Sequence, residues 1–202
     1  MSTNGAPNNL PDLNLKLDSR VYSPSEDSFL LAGNLIISEK DEVLEIGIGS
    51  GYVSLIAAQN SKFVWGTDIN PKAVQLAKEN AKLNEIDNVE FLKANLFPSL
   101  DRKYDLILFN PPYLPEEELL NEKKDIDLSW SSGPDGRKIT DKFIQSVSNH
   151  LKKEGKFQLI QSSITDINKT KTKLNELNYN FEVTANEKLF FEELVLITGF
   201  KT

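Results

Sequence analysis

The sequence predicts an α/β fold, in which a mostly parallel sheet of seven strands carries helices on both faces and ends in an antiparallel hairpin. Two observations lead to this fold class. From residue 42 onward, short apolar runs alternate with segments of helical spacing, which is the pattern of parallel strands joined by helices. The last two apolar runs have no helical segment between them, so they are expected to pair antiparallel at one edge of the sheet.

The individual elements follow from apolar spacing and from start and stop signals. Asn70 followed by Pro71 is a preferred helix start, because Asn can cap free N–H groups and Pro fits the first turn. The predicted helices are Glu26–Ile37, Tyr52–Gln59, Lys72–Asn84, Thr140–Leu151 and Thr165–Leu177. The predicted strands are Glu42–Ile46, Phe63–Asp68, Asn88–Ala94, Tyr104–Phe109, Gly155–Gln161, Phe181–Ala185 and Leu194–Phe200.

Length and composition fit one domain without a secretion or membrane signal. The chain has 202 residues, and residues 21–202 are predicted to form a single domain after a loose tail or edge segment at 1–20. No apolar run approaches the length that crosses a membrane, and residues 1–10 lack the features of a signal peptide. We therefore expect a cytoplasmic protein that does not bind membranes.

Residue counts also narrow the possible ligands. The chain has no cysteine and one histidine, His150, so no thiolate or histidine cluster for a metal ion is expected. A formal net charge of −7 lowers the expectation of nucleic-acid binding, which depends on Lys and Arg neutralising phosphates. Three consecutive glutamates, Glu116–Glu118, would also repel a phosphate backbone. A protein substrate is favoured over DNA.

The most informative motif is Asn-Pro-Pro-Tyr, directly after the fourth predicted strand. The side-chain oxygen of Asn110 and the carbonyl oxygen of Pro111 can each accept a hydrogen bond from one –NH₂ group. Pro111 and Pro112 have fixed φ and no N–H, so these acceptors are oriented in advance. Tyr113 adds an aromatic face on which a planar amide or base can stack. The alternative is an ordinary proline turn at a strand end.

A glycine-rich turn follows the first predicted strand. Its glycines alternate with other residues, and Gly47 and Gly49 can turn the backbone sharply and bring it close to a ligand. The G-x-G-x-G spacing differs from the G-x-G-x-x-G that holds the pyrophosphate of a dinucleotide. Glu45, at the strand end, suits a cationic or zwitterionic ligand better than a phosphate.

Asp68 closes the second predicted strand, at roughly the spacing from the glycine turn that a ribose-binding acid has, about 20 residues. Its carboxylate can accept hydrogen bonds from both ribose hydroxyls. The alternative is that Asp68 caps the next helix, for which Asn70 is the better candidate.

These candidate residues fall at one edge of the predicted sheet. Ligands in open α/β sheets bind beyond the carboxyl ends of the strands. Glu45, Asp68, Ala94–Leu96 and Asn110 follow four separate predicted strands and all lie at such ends. The sequence therefore predicts a ligand site at this edge.

Together these motifs resemble a known family. Glu45–Gly51, Thr67–Pro71 and Asn110–Tyr113 resemble the motifs of class I S-adenosylmethionine-dependent methyltransferases. Val21–Leu31, with the sequence V-Y-S-P-S-E-D-S-F-L-L, and Trp130–Arg137, with W-x-x-G-x-x-G-R, are similar to segments of the HemK-type glutamine methyltransferases of release factors. Within these, the short archaeal and eukaryotic branch is the most similar, and the resemblance covers nearly the whole chain.

The resemblance implies a Rossmann-like methyltransferase fold, S-adenosylmethionine as cofactor, and N5-methylation of the glutamine in the Gly-Gly-Gln motif of a class I release factor. It also implies a small zinc-containing activator subunit in a heterodimer. The implied catalytic residues are Asn110, Pro111, Pro112 and Tyr113. The implied cofactor-binding residues are Tyr22, Ser28, Glu45, Gly47, Gly49, Asp68, Asn95, Leu96 and Asn110.

Some of these assignments have alternatives. Tyr22 and Ser28 are expected to touch the amino-acid end of the cofactor, but Tyr22 could instead be a core residue. Asn95 and Leu96 are expected to flank the adenine, although the family typically has Asp at the position of Asn95.

The long predicted loop Leu114–Ile139 is expected to face the substrate, since loops of this length are usually functional or disordered. It contains Trp130 and Arg137, and the alternative is that this Arg simply packs on the Trp. Phe190 and Phe191 are expected to pack within the hairpin and to lie outside the site.

Other functions are open at this stage. N-P-P-Y is shared with adenine-N6 methyltransferases, so the same pocket could take a nucleic-acid adenine or a protein lysine. A non-catalytic cofactor-binding subunit would not need this motif. A dinucleotide dehydrogenase would explain neither Glu45 nor Asn110.

Overall fold

The computed structural model describes residues 10–113 and 133–200, and the predicted seven-stranded sheet is present there. The strands are β1 (Glu42–Ile46), β2 (Phe63–Asp68), β3 (Val89–Lys93), β4 (Tyr104–Phe109), β5 (Leu151–Ser162), β6 (Asn180–Lys188) and β7 (Glu193–Phe200). Their order in the sheet is β3-β2-β1-β4-β5-β7-β6. Strands β1 to β5 pair in parallel, whereas β7 is antiparallel to both β5 and β6. The predicted fold class is confirmed.

Five α-helices connect or flank these strands within the described residues. They are α1 (Glu26–Gly33), α2 (Tyr52–Ala58), α3 (Pro71–Leu83), α4 (Lys138–Ser146) and α5 (Ile167–Glu176). Short 3₁₀ turns follow α4 at Val147–Asn149 and precede α5 at Ser163–Thr165. None of these helices is both long and apolar enough to cross a membrane.

Helices cover both faces of the sheet, as the sequence predicts. Successive residues of β4 point to opposite faces, so Leu106 and Leu108 join one buried cluster while Ile107 and Phe109 join the other. The first cluster contains residues of α1, α2 and α3, and the second contains residues of α4 and α5.

Helix α1 ends earlier than its apolar spacing predicts, at Gly33 instead of Ile37. The cause is a buried side chain from a distant strand. The amide of Gln158 accepts a hydrogen bond from the N–H of Ile36 at 3.0 Å and donates to the carbonyl oxygen of Asn34 at 2.9 Å. These two bonds hold the chain after Gly33 outside the helix, which helical spacing alone does not reveal.

Strand β5 begins earlier than predicted, because residues expected at a helix end pair with β4. Leu151 is in register with Tyr104, and the Tyr104 N–H donates to the carbonyl oxygen of His150 at 2.8 Å. Gly155 therefore lies inside an irregular strand and does not mark the end of a helix.

The segment 10–20 has no regular secondary structure but packs on the domain. Leu13 and Leu15 are buried. The side chain of Asn80 accepts the N–H of Lys16 at 2.8 Å and donates to its carbonyl oxygen at 3.1 Å, and Asn84 binds Asn14 in the same way. Two amide side chains on α3 thus replace a neighbouring strand for this segment.

Candidate active site

The glycine-rich turn after β1 folds against the end of β2. The N–H groups of Gly47 and Ile48 both donate to the carbonyl oxygen of Thr67, at 2.7 and 3.2 Å. Gly49 has a φ of +52°, and a Cβ there would lie 3.2 Å from the carbonyl oxygen of Tyr22. Glycine therefore allows both the left-handed turn and the close approach of the segment Val21–Leu31, which we call the entry segment.

Two buried carboxylates lie under this turn. Asp68 accepts the N–H groups of Gly49 at 3.0 Å and of Asn70 at 2.8 Å, while burial raises the pKa of Asp68 to about 6. Glu45 accepts the hydroxyl of Ser54, and burial raises the pKa of Glu45 to about 8. A positively charged ligand would favour the ionised form of both groups.

Asn70 is the cap of α3, as predicted, since its side chain accepts the N–H of Lys72 at 2.9 Å. Asp68 instead accepts the N–H of Asn70 itself and that of Gly49 in the glycine turn, and both donors lie outside α3. The capping alternative for Asp68 is therefore wrong.

The loop after β3 lies beside the end of β2, at the same edge of the sheet as the glycine turn. Leu96 has a φ of +64°, and its carbonyl oxygen accepts the hydroxyl of Thr67 at 2.7 Å. Asn95 is exposed. The loop is thereby fixed to the end of β2, and the contact of both residues with an adenine stays a prediction.

Asn110 follows β4, next to the glycine turn. A Cβ on Gly47 would lie 3.7 Å from the carbonyl oxygen of Asn110. The side-chain oxygen of Asn110 is buried and has no hydrogen-bond partner among residues 10–113 and 133–200. An unsatisfied buried acceptor costs about 1–3 kcal/mol, so this atom is available to a donor from a ligand.

Asp27, in the first turn of α1, joins the entry segment to the Asn-Pro-Pro-Tyr motif. One of its carboxylate oxygens accepts the hydroxyls of Tyr22 at 2.9 Å and Tyr113 at 3.4 Å. The other accepts the N–H and the hydroxyl of Ser28, at 2.6 and 3.1 Å. Tyr22 is 53% exposed, so its alternative as a core residue is wrong.

Sequence reasoning missed Asp27, although it is the residue that brings three predicted site residues together. The available signal was its acidic side chain in the entry segment, immediately before Ser28. Asp27 is only 3% exposed and accepts four hydrogen bonds, and neither fact could be predicted from that segment alone.

Arg137 has a different position from the predicted one. Its guanidinium is buried and donates to the carbonyl oxygens of Thr165 and Asp166 and to the hydroxyl of Thr170, and it pairs with Asp141 at 3.0 Å. The prediction that Arg137 faces the substrate is wrong, because these acceptors hold its side chain between α4 and the start of α5.

The predicted loop Leu114–Ile139 ends at Arg137, since α4 begins at Lys138. Residues 114–132, including Trp130, lie outside the described part of the chain, so the alternative contact between that Trp and Arg137 is not tested. Gly136 has a φ of +69°, and a Cβ on it would lie 2.3 Å from the carbonyl oxygen of Tyr113. The end of this loop therefore packs directly on the Asn-Pro-Pro-Tyr motif.

Phe190 and Phe191 do not pack within the hairpin. Each is 91% exposed, and the two rings meet edge to face with their centroids 4.6 Å apart. The prediction of a packed pair is wrong, because both residues lie in the turn between β6 and β7 and not in the strands.

The described residues contain no group of acidic or histidine side chains that could hold a metal ion. Three adjacent parallel strands, β2, β1 and β4, end in a glycine turn, two buried carboxylates and an oriented amide. This fold and this strand-end site define a class I methyltransferase.

Comparisons with known proteins agree. A family model described as a methyltransferase domain matches residues 37–194. A protein of Methanocaldococcus jannaschii, provisionally named a protein N5-glutamine methyltransferase, is 46% identical over 94% of this chain and 96% of its own length. The chain belongs to this family of protein N5-glutamine methyltransferases.

Two further similarities are informative. A release factor glutamine methyltransferase of Fusobacterium nucleatum is 43% identical over 52% of this chain and 32% of its own length. The solved E. cuniculi complex of Mtq2 with Trm112, described as responsible for methylation of the eRF1 termination factor, has a TM-score of 0.72. The two sequences are 22% identical, and the match covers 90% of this chain and 99% of the solved chain, which supports the fold.

Proposed function

We propose that this enzyme transfers a methyl group from S-adenosylmethionine to the side-chain nitrogen of the glutamine in the Gly-Gly-Gln motif of a class I release factor. The observation that carries the proposal is the buried, unpartnered side-chain oxygen of Asn110 in the Asn-Pro-Pro-Tyr motif. This atom is an acceptor, which is what a carboxamide –NH₂ donor requires.

The cofactor-side residues fit S-adenosylmethionine. Gly47 and Gly49 let the turn pack closely on the backbone of Asn110 and Tyr22, and the buried carboxylates of Glu45 and Asp68 favour a ligand with a positive charge. Bound there, the cofactor would supply a methyl group from its sulfonium, and the neutral thioether that remains would be the leaving group. Tyr22, Ser28, Asn95 and Leu96 complete the proposed cofactor-binding set.

Asn110 and Pro111 would hold the acceptor amide. The two N–H groups of one glutamine –NH₂ would bond to the side-chain oxygen of Asn110 and to the carbonyl oxygen of Pro111. Both acceptors would stabilise the positive charge that develops on nitrogen as the N–C bond forms. Alignment of the amide with the methyl group would also contribute to the rate enhancement. The surplus proton on nitrogen then passes to solvent.

Tyr113 would set the plane of that amide. Its hydroxyl donates to Asp27 at 3.4 Å, and its carbonyl oxygen is covered closely by Gly136. A ring held at both ends can present a fixed aromatic face for stacking. Pro112 keeps that ring in place relative to Asn110 because its φ is fixed.

The proposed substrate is supported by relatives. The M. jannaschii relative is named for N5-glutamine methylation, and the F. nucleatum relative is named for release factors. A net charge of −7 is more compatible with a protein substrate than with a phosphate backbone. No specific observation favours adenine or lysine as the acceptor.

We further propose that a small activator subunit forms a heterodimer with this chain, as Trm112 does with Mtq2 in the E. cuniculi complex. Two described strands, β3 and β6, lie at the edges of the sheet and have unpaired backbone groups on one side. Zinc in that subunit and a cytoplasmic location stay predictions. A fully active monomer of this chain alone would contradict the heterodimer.

The test is transfer of a labelled methyl group to the cognate release factor, with and without the activator subunit. We expect labelling that disappears when the Gly-Gly-Gln glutamine is replaced by alanine, and that does not occur on a DNA duplex. A wild-type complex that leaves the release factor unlabelled, or that labels it equally without that glutamine, would overturn the proposed function.

A further inference from the structure

The turn between β6 and β7 lies at the same edge of the sheet as the active site. Strand β5 runs parallel to β4, and Leu159 is in register with Phe109, the last residue before Asn110. Strand β5 then continues to Ser162, which pairs with Leu194 at the start of β7. The turn that carries Phe190 and Phe191 therefore projects past the level of Asn110.

This turn is anchored to the site and not loosely attached. Leu189 packs against the core, and its N–H donates to the carbonyl oxygen of Glu192 at 2.8 Å, which closes the turn. Glu192 accepts the hydroxyl of Ser162, and the N–H of Glu193 donates to Ser163 at 3.0 Å. The backbone that carries the two phenylalanines is consequently held beside the end of β5.

The same turn is close to Tyr113. Tyr113 and Leu189, the first residue of the turn, both pack against the same buried cluster on one face of the sheet. Two neighbouring phenylalanines, each 91% exposed, are unusual on a free surface, whereas aromatic side chains are enriched in the centres of protein interfaces.

We propose that Phe190 and Phe191 form a docking surface for the substrate polypeptide, where they bind an apolar side chain that flanks the acceptor glutamine. The inference rests on the proposed function and adds the means by which the enzyme recognises more than the amide. Continuity with Tyr113 favours the substrate over the activator subunit as the occupant. The aromatic pair then serves affinity for the protein substrate, while Asn110 serves the transfer itself.

The geometry also gives the distance along the substrate. Three residues of β5 beyond Leu159 reach Ser162, about 10 Å past the level of Phe109, and two strand spacings from β4 to β7 correspond to about 10 Å sideways. An extended chain advances about 3.3–3.6 Å per residue, so a diagonal of about 14 Å is covered by roughly four residues. The apolar side chain is expected three to five residues from the glutamine.

The test is the KM for the release factor, measured with the activator subunit present. Replacing both phenylalanines by serine (Phe190→Ser with Phe191→Ser) is expected to raise that KM at least tenfold and to leave kcat within twofold, because the rings bind substrate without touching the reacting atoms. Replacing both by leucine keeps an apolar surface and should raise KM less than threefold. Leu177→Ser, which removes an exposed apolar side chain beyond the far end of α5, is the matched control.

A double-mutant cycle locates the contact. Alanine at the apolar substrate position three to five residues from the glutamine should raise KM for the wild type but not further for the serine double variant. Unchanged KM in the serine double variant, an equal rise in Leu177→Ser, or loss of the activator subunit by the serine variant alone would each overturn the docking proposal while the proposed function stands. A wild-type complex without activity on the release factor would overturn both.

Discussion

The two sides of the strand-end site satisfy their polar atoms in different ways. On the cofactor side, at the ends of β1 and β2, Asp68 and Glu45 already accept hydrogen bonds from the protein. On the acceptor side, beyond β4, the buried oxygen of Asn110 has no partner within the described residues, and Phe190 and Phe191 are exposed. The cofactor side is thus arranged by the protein's own backbone, whereas the acceptor side keeps binding capacity for an arriving polypeptide.

This difference predicts that substitutions on the two sides affect different measured quantities. A change on the acceptor side should lower the rate of transfer or weaken protein-substrate binding. A change on the cofactor side should lower cofactor affinity and alter stability. Four substitutions test this separation, in order of expected effect.

Asn110→Ala is expected to have the largest effect, a fall in kcat of about 10²–10³-fold, by analogy with the loss of one oxyanion-hole donor. The reason is that one of two acceptors for the –NH₂ group is removed. Methyl transfer to the release factor measures kcat. Calorimetry of S-adenosylmethionine binding separates this role from the implied contact of Asn110 with the cofactor, and a Kd within threefold of wild type assigns the loss to the acceptor side. A fall of less than threefold in kcat would contradict the role of Asn110.

Asp27→Ala is expected to lower kcat/KM by about 10–100-fold, since hydrogen bonds to a charged group contribute about 1.5–3 kcal/mol each. This change should affect both sides of the site, because Asp27 accepts hydrogen bonds from Tyr22 on the cofactor side and from Tyr113 on the acceptor side. Cofactor Kd and kcat should therefore both change. Asp27→Asn retains an acceptor and should lower kcat/KM less. If Asp27→Ala had the kcat, the cofactor Kd and the Tm of the wild type, the hydrogen bonds of Asp27 to the two tyrosines would be unimportant.

Gly49→Ala should act on the cofactor side alone. A Cβ at φ +52° and 3.2 Å from the carbonyl oxygen of Tyr22 costs about 1–2 kcal/mol, so the Kd for S-adenosylmethionine is expected to rise about tenfold with kcat little changed. Gly33→Ala is the matched control, since nothing lies within 4 Å of a Cβ there. Equal effects of the two substitutions would argue against the predicted close approach.

The smallest effect concerns pH. Burial raises the pKa of Glu45 to about 8, above the value of 4.5 that the group has when exposed. The folded state therefore binds more protons than the unfolded state between these values, and the stability of the cofactor-free protein should fall as pH rises through this window. Thermal unfolding should show Tm falling by roughly 2–4 °C for each 1 kcal/mol lost.

Glu45→Gln removes this titration while keeping an acceptor for Ser54, so the Tm of the variant should depend less on pH. Because S-adenosylmethionine is positively charged, its presence should also flatten the pH dependence of the wild type. Identical pH profiles for the two proteins would exclude Glu45 as the source.

Much of the fold and of the candidate site follows from local sequence. The Asn70-Pro71 start of α3, the glycine turn and the bounds of β1, β2 and β4 are set by residues that are adjacent in the chain. The positions of Glu45, Asp68 and Asn110 at one edge then follow, because parallel strands joined by helices bring their carboxyl ends together.

Other features depend on residues that meet only in the folded protein. Gln158 ends α1 early, Asp27 joins two distant tyrosines, and Arg137 is held by carbonyl oxygens near α5. Each is a polar side chain with at least one partner far away in sequence, so periodicity and caps carry no information about that contact.

Sequence reasoning was sufficient for the fold class, the order of the strands along the chain and the class of chemistry at their ends. These depend on local spacing and on short motifs whose backbone restrictions are carried by their own glycines and prolines. The tertiary structure alone decided which long-range polar contacts hold the site and that Phe190 and Phe191 face outward beside it. The physical reason is that the burial of a side chain is a property of the packed molecule and not of its neighbours in the sequence.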